Sequence, residues 1–131
     1  MKIKIISFED VDGNTVVKFG SGVGDGIATW IGANKPVKNY EYDVEIDIEK
    51  SIDQVINTSN KNEDRYSMAL QGRSTLMNGE VESVEEDGMA YFRLSKDCLI
   101  MVESGDSKVK EGDWISLNIQ CEDIEVSAQG N

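Results

Sequence analysis

Along residues 40–49 apolar and acidic side chains alternate without a break. Tyr40, Tyr42, Val44, Ile46 and Ile48 fall on one side of an extended chain, and Glu41, Asp43, Glu45, Asp47 and Glu49 fall on the other. Wound at helical spacing, the same apolar residues would scatter round the axis. The pattern therefore predicts a strand with one face on a core and a row of carboxylates in water. The same period, less strictly kept, predicts strands over 2–8, 14–19, 26–31, 79–85, 88–94, 97–103, 113–119 and 122–126. Asp12-Gly13-Asn14 and Asp87-Gly88 supply the positive φ of tight turns and join neighbouring strands as hairpins. The run from Asp97 to Val102 is apolar on both faces, which predicts a central strand covered on both sides.

Residues 50–78 break the rhythm. Ser51 to Ile56 suits either a strand or a helical turn beginning at a serine cap. The stretch 57–64 is wholly polar and reads as an exposed loop, and Met68-Ala69-Leu70 suits a short helix or a strand. The expected fold is mainly β: an antiparallel sandwich or barrel, with at most one short helix around 50–78. A repeat runs through this pattern. Ser7 to Gly13 followed by Val16-Val17-Lys18-Phe19 resembles Ser83 to Gly88 followed by Tyr91-Phe92-Arg93-Leu94. Tyr42–Ile48 matches Asp113–Ile119 once the acidic and apolar faces are shifted by one residue. Two pseudo-symmetric halves and two ordinary Asp-Gly hairpins both account for it.

The chain's 131 residues fit one domain, 1–131, able to bury a core without staples. Cys98 and Cys121 are too few for a disulfide framework and read as buried free thiols in a reducing compartment. The start, Met1 to Asp10, has no apolar run that could serve a signal peptide, and no stretch approaches the ~20 apolar residues of a membrane span. The expected setting is cytoplasmic, with no membrane partner. A net charge of −12 argues against direct binding of nucleic acid, where affinity comes from neutralising phosphates. It suits either plain solubility or a basic partner.

Candidate chemistry is thin. The chain has no histidine, which removes the commonest general base and most transition-metal sites. Zinc has no ligand set in two distant cysteines. Gly20-Ser21-Gly22-Val23-Gly24-Asp25-Gly26 is glycine-rich, but it leads into the strand-like Ile27-Ala28-Thr29-Trp30-Ile31 and lacks the lysine and helix of a phosphate loop. It reads as a flexible loop between strands that could close over a partner. Asp10-Val11-Asp12-Gly13-Asn14 has its glycine too early for a calcium loop. The chain is accordingly expected to need no cofactor or metal and not to be an enzyme. A histidine-free enzyme using paired carboxylates or a lysine is a third alternative.

Residues 79–117, with a Gly-Asp turn at Gly112-Asp113 launching a late strand, resemble the general pattern of OB-like and TOBE-like small barrels. That resemblance implies a barrel or sandwich and carries over no ligand-binding residue. The carboxylate row is the feature of most interest. Alternate residues on one strand face lie roughly 6.6–7 Å apart, a spacing that approximates phosphates along a nucleic-acid strand. Glu41, Asp43, Glu45, Asp47 and Glu49 could thus enter a basic cleft that normally holds nucleic acid. A second acidic group, Glu80, Glu82, Glu85, Glu86 and Asp87, has few lysines or arginines near it in sequence. Glu82, Glu85 and Glu86 join the row as candidate partner-binding residues. The bland alternative is a solvated face, or an edge strand guarded by charge. In size, charge and lack of catalytic motifs the chain is similar to small acidic immunity proteins of bacterial toxin systems. Its expected function is an acidic inhibitor of a basic partner such as a nuclease toxin. The alternative is a small-ligand-binding or scaffold barrel, with the Gly20–Gly26 loop and Trp30 or Trp114 near a pocket. Oligomeric state is left open.

Overall fold

The computed structural model describes residues 1–57 and 64–129. Strand accounts for 62% of the chain and helix for 6%, so the fold is mainly β, as the alternation predicts. Ten strands follow in order: β1 (Lys2–Val11), β2 (Asn14–Ser21), β3 (Gly24–Ile31), β4 (Glu41–Ile48), β5 (Ser67–Gln71), β6 (Ser74–Val84), β7 (Met89–Ser95), β8 (Cys98–Glu103), β9 (Trp114–Gln120) and β10 (Ile124–Ala128). One short helix, α1 (Ile52–Val55), lies between β4 and β5. The polar stretch expected as a loop falls mostly on residues 58–63, outside the described residues.

Five strands close a barrel. β1, β2 and β3 form a meander, β4 pairs antiparallel with β1, and β10 pairs antiparallel with β4 and parallel with β3. The β1–β2 hairpin turns at Asp12 (φ 51°) and Gly13 (φ 83°), the paired positive φ values that a two-residue turn between right-twisted strands requires. A bulge between Ile5 and Ser7 shifts the β1–β2 register; Ile3 and Ile5 are buried, and Ile6 and Phe8 are exposed. The barrel is thus built from residues 2–48 and 124–128. The segment that resembles OB-like barrels, 79–117, lies in the sheet beyond it.

That sheet is organised by β6. Along residues 74–80 its one side pairs with β9, while its other side pairs first with β5 and then with β7. β8 continues the order beyond β7 and ends it. The expectation of a central strand at 97–102 fails here: Leu99 and Met101 are exposed, with only alternate residues buried. An apolar run is ambiguous because sheet position, which sequence does not give, decides whether both faces are covered. The expected repeat has a structural counterpart. In both halves a bulge (Ile5/Ser7, Val81/Ser83) precedes an Asp-Gly turn, and a later strand pairs antiparallel with the meander's first strand. Only the first half closes.

Residues 50–78 resolve into the helical turn and two strands. Ser51 N–H donates to Gln54 Oε1, which starts α1, and Ile52 and Val55 bury its apolar side. Extended Ile56 ends it and bridges to Leu117. Met68-Ala69-Leu70 belongs to β5.

The barrel and the second sheet share one continuous core, from Ile3, Phe19 and Ile46 to Phe92, Leu94 and Leu117. The fully buried Thr75 hydroxyl accepts from Ile27 N–H and donates to Ile27 O, both at 2.9 Å, so it satisfies β3 where β6 crosses it. Cys98 and Cys121 are buried free thiols, and burial pushes the Cys98 thiol up to about 11. Among the described residues no helix is long and apolar enough to cross a membrane.

The glycine-rich run is a tight β2–β3 hairpin with turn residues Gly22 and Val23, not an open loop. Its constraint lies at Gly24 (φ 132°), where β3 meets β5: a Cβ there would stand 1.8 Å from the Met68 carbonyl oxygen. Gly24→Ala is expected to destabilise the protein by more than about 1 kcal/mol in urea unfolding. Gly22→Ala, which meets nothing within 4 Å, should stay within about 0.5 kcal/mol of the parent. Equal effects would show that the close approach is not structural.

Candidate functional site: a carboxylate face on the barrel

The acidic row sits on β4 as expected, with Val44, Ile46 and Ile48 in the core and Glu41, Asp43 and Glu45 exposed. It is not on an edge, because β1 covers one side of β4 and β10 the other. Those neighbours divide the row. Lys4 lies opposite Glu41 and Lys2 opposite Asp43, so the first two carboxylates have cations on the same face. On the other side Ser127 lies opposite Glu45, and Glu125 lies opposite Asp47. Among the described residues, none of the five acids of the row closes an ion pair.

The charge therefore concentrates at Glu45, Asp47, Glu49 and Glu125. Partial burial, then the charges of Glu45 and Glu49, push the Asp47 carboxyl above its ordinary range. A hydrogen bond with Glu49 raises Glu125, followed by burial and by the charges of Glu49 and Asp47. Gln129 Nε2 donates to Glu45 Oε2 at 3.3 Å, a neutral partner that leaves the charge in place. Glu125 escaped the sequence reading. Its alternation between Ile124 and Val126 marks a strand, but only barrel closure reveals that it faces Asp47.

The second acidic group is not assembled with this face. Glu82 is taken by Arg93, whose Nε and Nη2 donate to Oε2 and Oε1 at 2.9 and 3.1 Å. The bidentate pair lowers the Glu82 carboxyl and raises Arg93. Glu82, expected among the partner-binding carboxylates, is therefore paired with a cation rather than free. The arginine lies 11 residues along the chain and reaches Glu82 across the β6–β7 hairpin. Glu85 and Glu86 are exposed in the β6–β7 turn, where Glu85 N–H donates to Met89 O. Beyond the end of the row, a cavity of about 240 Å³ joins the barrel to the second sheet. Glu49 and Lys50 line it from one side, and Met89, Met101 and Glu103 from the other.

Of the two tryptophans, Trp30 belongs to the core: it is buried, donates from Nε1 to Asn34 O at 2.9 Å and meets Tyr42 edge-on. Trp114 lines a cavity of about 490 Å³. Gly20, Ser21 and Gly22 border a different hollow, beside Lys2, Lys4 and Glu41. Among the described residues no three His, Cys, Asp or Glu side chains are grouped to hold a metal ion. The face offers negative charge and hydrogen-bond acceptors, which suits a cationic partner. Compared with protein-family models, curated proteins and solved structures, the chain matches none of them.

Because Asp47 and Glu125 hold their protons more tightly folded than unfolded, their mutual repulsion is absent at low pH. It costs stability as pH rises through their titration. Asp47→Asn and Glu125→Gln are each expected to stabilise the protein at pH 7 by a few tenths of a kcal/mol, the scale of screened surface charges. The gain should vanish near pH 3 and shrink in high salt. Glu82→Gln has the opposite sign, since a lowered carboxyl contributes stability that is present above its unfolded value and lost as pH falls. Urea unfolding at the two pH values checks all three.

Proposed function

We propose that this chain is a non-catalytic binding protein that neutralises a basic partner by covering its cationic surface. The observation that carries the reading is the cluster Glu45, Asp47, Glu49 and Glu125, whose carboxylates repel one another and close no ion pair among the described residues, Lys50 beside Glu49 being a cation next to them in the chain. A fold that holds like charges together loses stability, and a cationic surface laid on them restores it on binding. The exposed Met101 and the half-buried Met89 adjoin the row's end and supply apolar contact beside the acids. A nuclease fits this description, because its nucleic-acid cleft is a cationic groove. The chain would then be an immunity-type inhibitor of a bacterial toxin. Its two buried thiols are compatible with a cytoplasmic setting.

Lys2 and Lys4 stand beside Glu41 and Asp43, so binding should centre on the far half of the row. Glu82, held by Arg93, should contribute little. The test is capture from a lysate of the source cells with the tagged full chain, washed at low and then moderate salt. One basic protein is expected to be retained stoichiometrically. The triple variant E45K/D47K/E49K should lose it, and E82Q should keep it. Retention by the triple variant would remove the acidic face from the site. A second reading, a small-ligand or scaffold barrel, draws on the cavity beside Trp114. Capture of no protein, together with thermal stabilisation by a small molecule, would favour it.

A further inference from the structure

The row's end leads by two short chain segments to a second concave site. Glu49 and Glu103 line the junction cavity, while Asp53 and Ser107, four residues on in each case, line the cavity beside Trp114. The two segments are locked together at Gly105 (φ 60°), where a Cβ would stand 2.0 Å from Asp53 Oδ1. Asp53 is itself fixed there, accepting from Ser51 Oγ and from the Asp106 backbone. The site is thus built on a rigid corner rather than on a free loop.

Its walls combine three properties. Trp114, half-buried and packed against Tyr66 at 5.3 Å between ring centroids with the planes tilted by 34°, provides an aromatic surface with Ile56 and Val109 beside it. Asp113 accepts from Lys110 N–H through Oδ2, and among the described residues its Oδ1 accepts no hydrogen bond and is left to a ligand. Ser107 Oγ is buried and, among the described residues, is the one such side-chain polar atom without a hydrogen-bond partner. On the same face as Trp114, Glu80 lies directly opposite it in the β6–β9 register, with Arg93 opposite Glu80 on the other side. Lys108 stands at the rim, exposed on a flexible stem that can turn its ammonium to solvent.

An aromatic plane, a free carboxylate oxygen and an unpaired hydroxyl together match a guanidinium. That group is flat enough to stack on indole, and it carries five donors, so one edge can bond a carboxylate while another bonds a hydroxyl. An ammonium would gain the charge attraction but neither the stacking nor the fork. We propose that the cavity beside Trp114 is a receptor for an arginine side chain of the basic partner, lying against the indole and hydrogen-bonded to Asp113 and Ser107. This rests on the reading of the chain as a binder of basic proteins, and it names the anchor residue that such a partner inserts.

The probe is the blocked peptide acetyl-Gly-Arg-Gly-amide, titrated into the full chain while both indole N–H signals are followed by NMR, with Trp114→Phe assigning them. The Trp114 signal is expected to shift saturably at millimolar peptide, with the core Trp30 signal still. The lysine peptide should bind about threefold more weakly or less, because it lacks the fork, and the citrulline peptide should leave the signal in place. Asp113→Asn keeps the acceptor for Lys110 N–H, so the turn survives, and it should weaken binding about threefold or more. Ser107→Ala should also weaken it. The exposed Glu122→Gln, outside both sites, should leave it unchanged. A still Trp114 signal, equal response to arginine and lysine, or loss with E122Q but not with D113N would overturn the assignment. Failure to capture a basic protein from the lysate with the arginine response intact would instead sink the inhibitor reading alone.

Discussion

The pairing of β10 between β3 and β4 is the contact on which the rest of the molecule depends. β4 ends at Ile48 and β10 begins at Ile124, so the barrel closes only when the chain's last strand returns. Closing so long a loop is entropically unfavourable, and the burial of Ile124 and Val126 against the core must offset it. The return makes β4 an interior strand and sets Glu125 opposite Asp47. Hydrophobic closure on the inside thus forces carboxylates together on the outside.

The segment between β4 and β10 is held to the barrel by backbone approach and by a few polar contacts, as well as by the shared core. Gly24 lets the Met68 carbonyl come close, Thr75 satisfies Ile27, and the Met1 ammonium donates to Asp97 O. Several acids meet their cations in this framework: Glu9 with Arg73, Asp10 with Lys35, Glu82 with Arg93. Arg73 and Glu9 even join the second sheet to the barrel. The pairs are partly exposed and individually weak, but their distribution matters. Cations close ion pairs at these points and stand opposite the start of the β4 row, while among the described residues the Glu45–Asp47–Glu49–Glu125 cluster closes no ion pair. A net charge of −12 becomes a local asymmetry only through this placement.

Much of this was legible in the chain. Strict alternation over 40–49 gave β4 and its exposed acids, because period two is the geometry of the strand itself. The Asp-Gly turns placed both hairpins, since few residues tolerate positive φ. Residues 67–78 hid two strands: Met68-Ala69-Leu70 is too short to show a period, and Thr75 and Asn78 are buried polar residues that blur it. Pairing was what sequence could not supply. The exposure of Leu99 and Met101, the capture of Glu82 by Arg93 and the approach of Glu125 to Asp47 all depend on which strand lies beside which. The candidate site was therefore half visible, its acids readable and their neighbours not.

Carbon-13 NMR titration of the side-chain carboxyls of Asp47 and Glu125, in the free protein at low salt, tests the crowded-carboxylate account most directly. Both are expected to titrate above the ordinary values for their residue types and to return toward them in Glu49→Gln, while Glu82 titrates below its own. Ordinary or lowered values at Asp47 and Glu125 would contradict it, because the face would then hold no uncompensated charge for a basic partner to relieve.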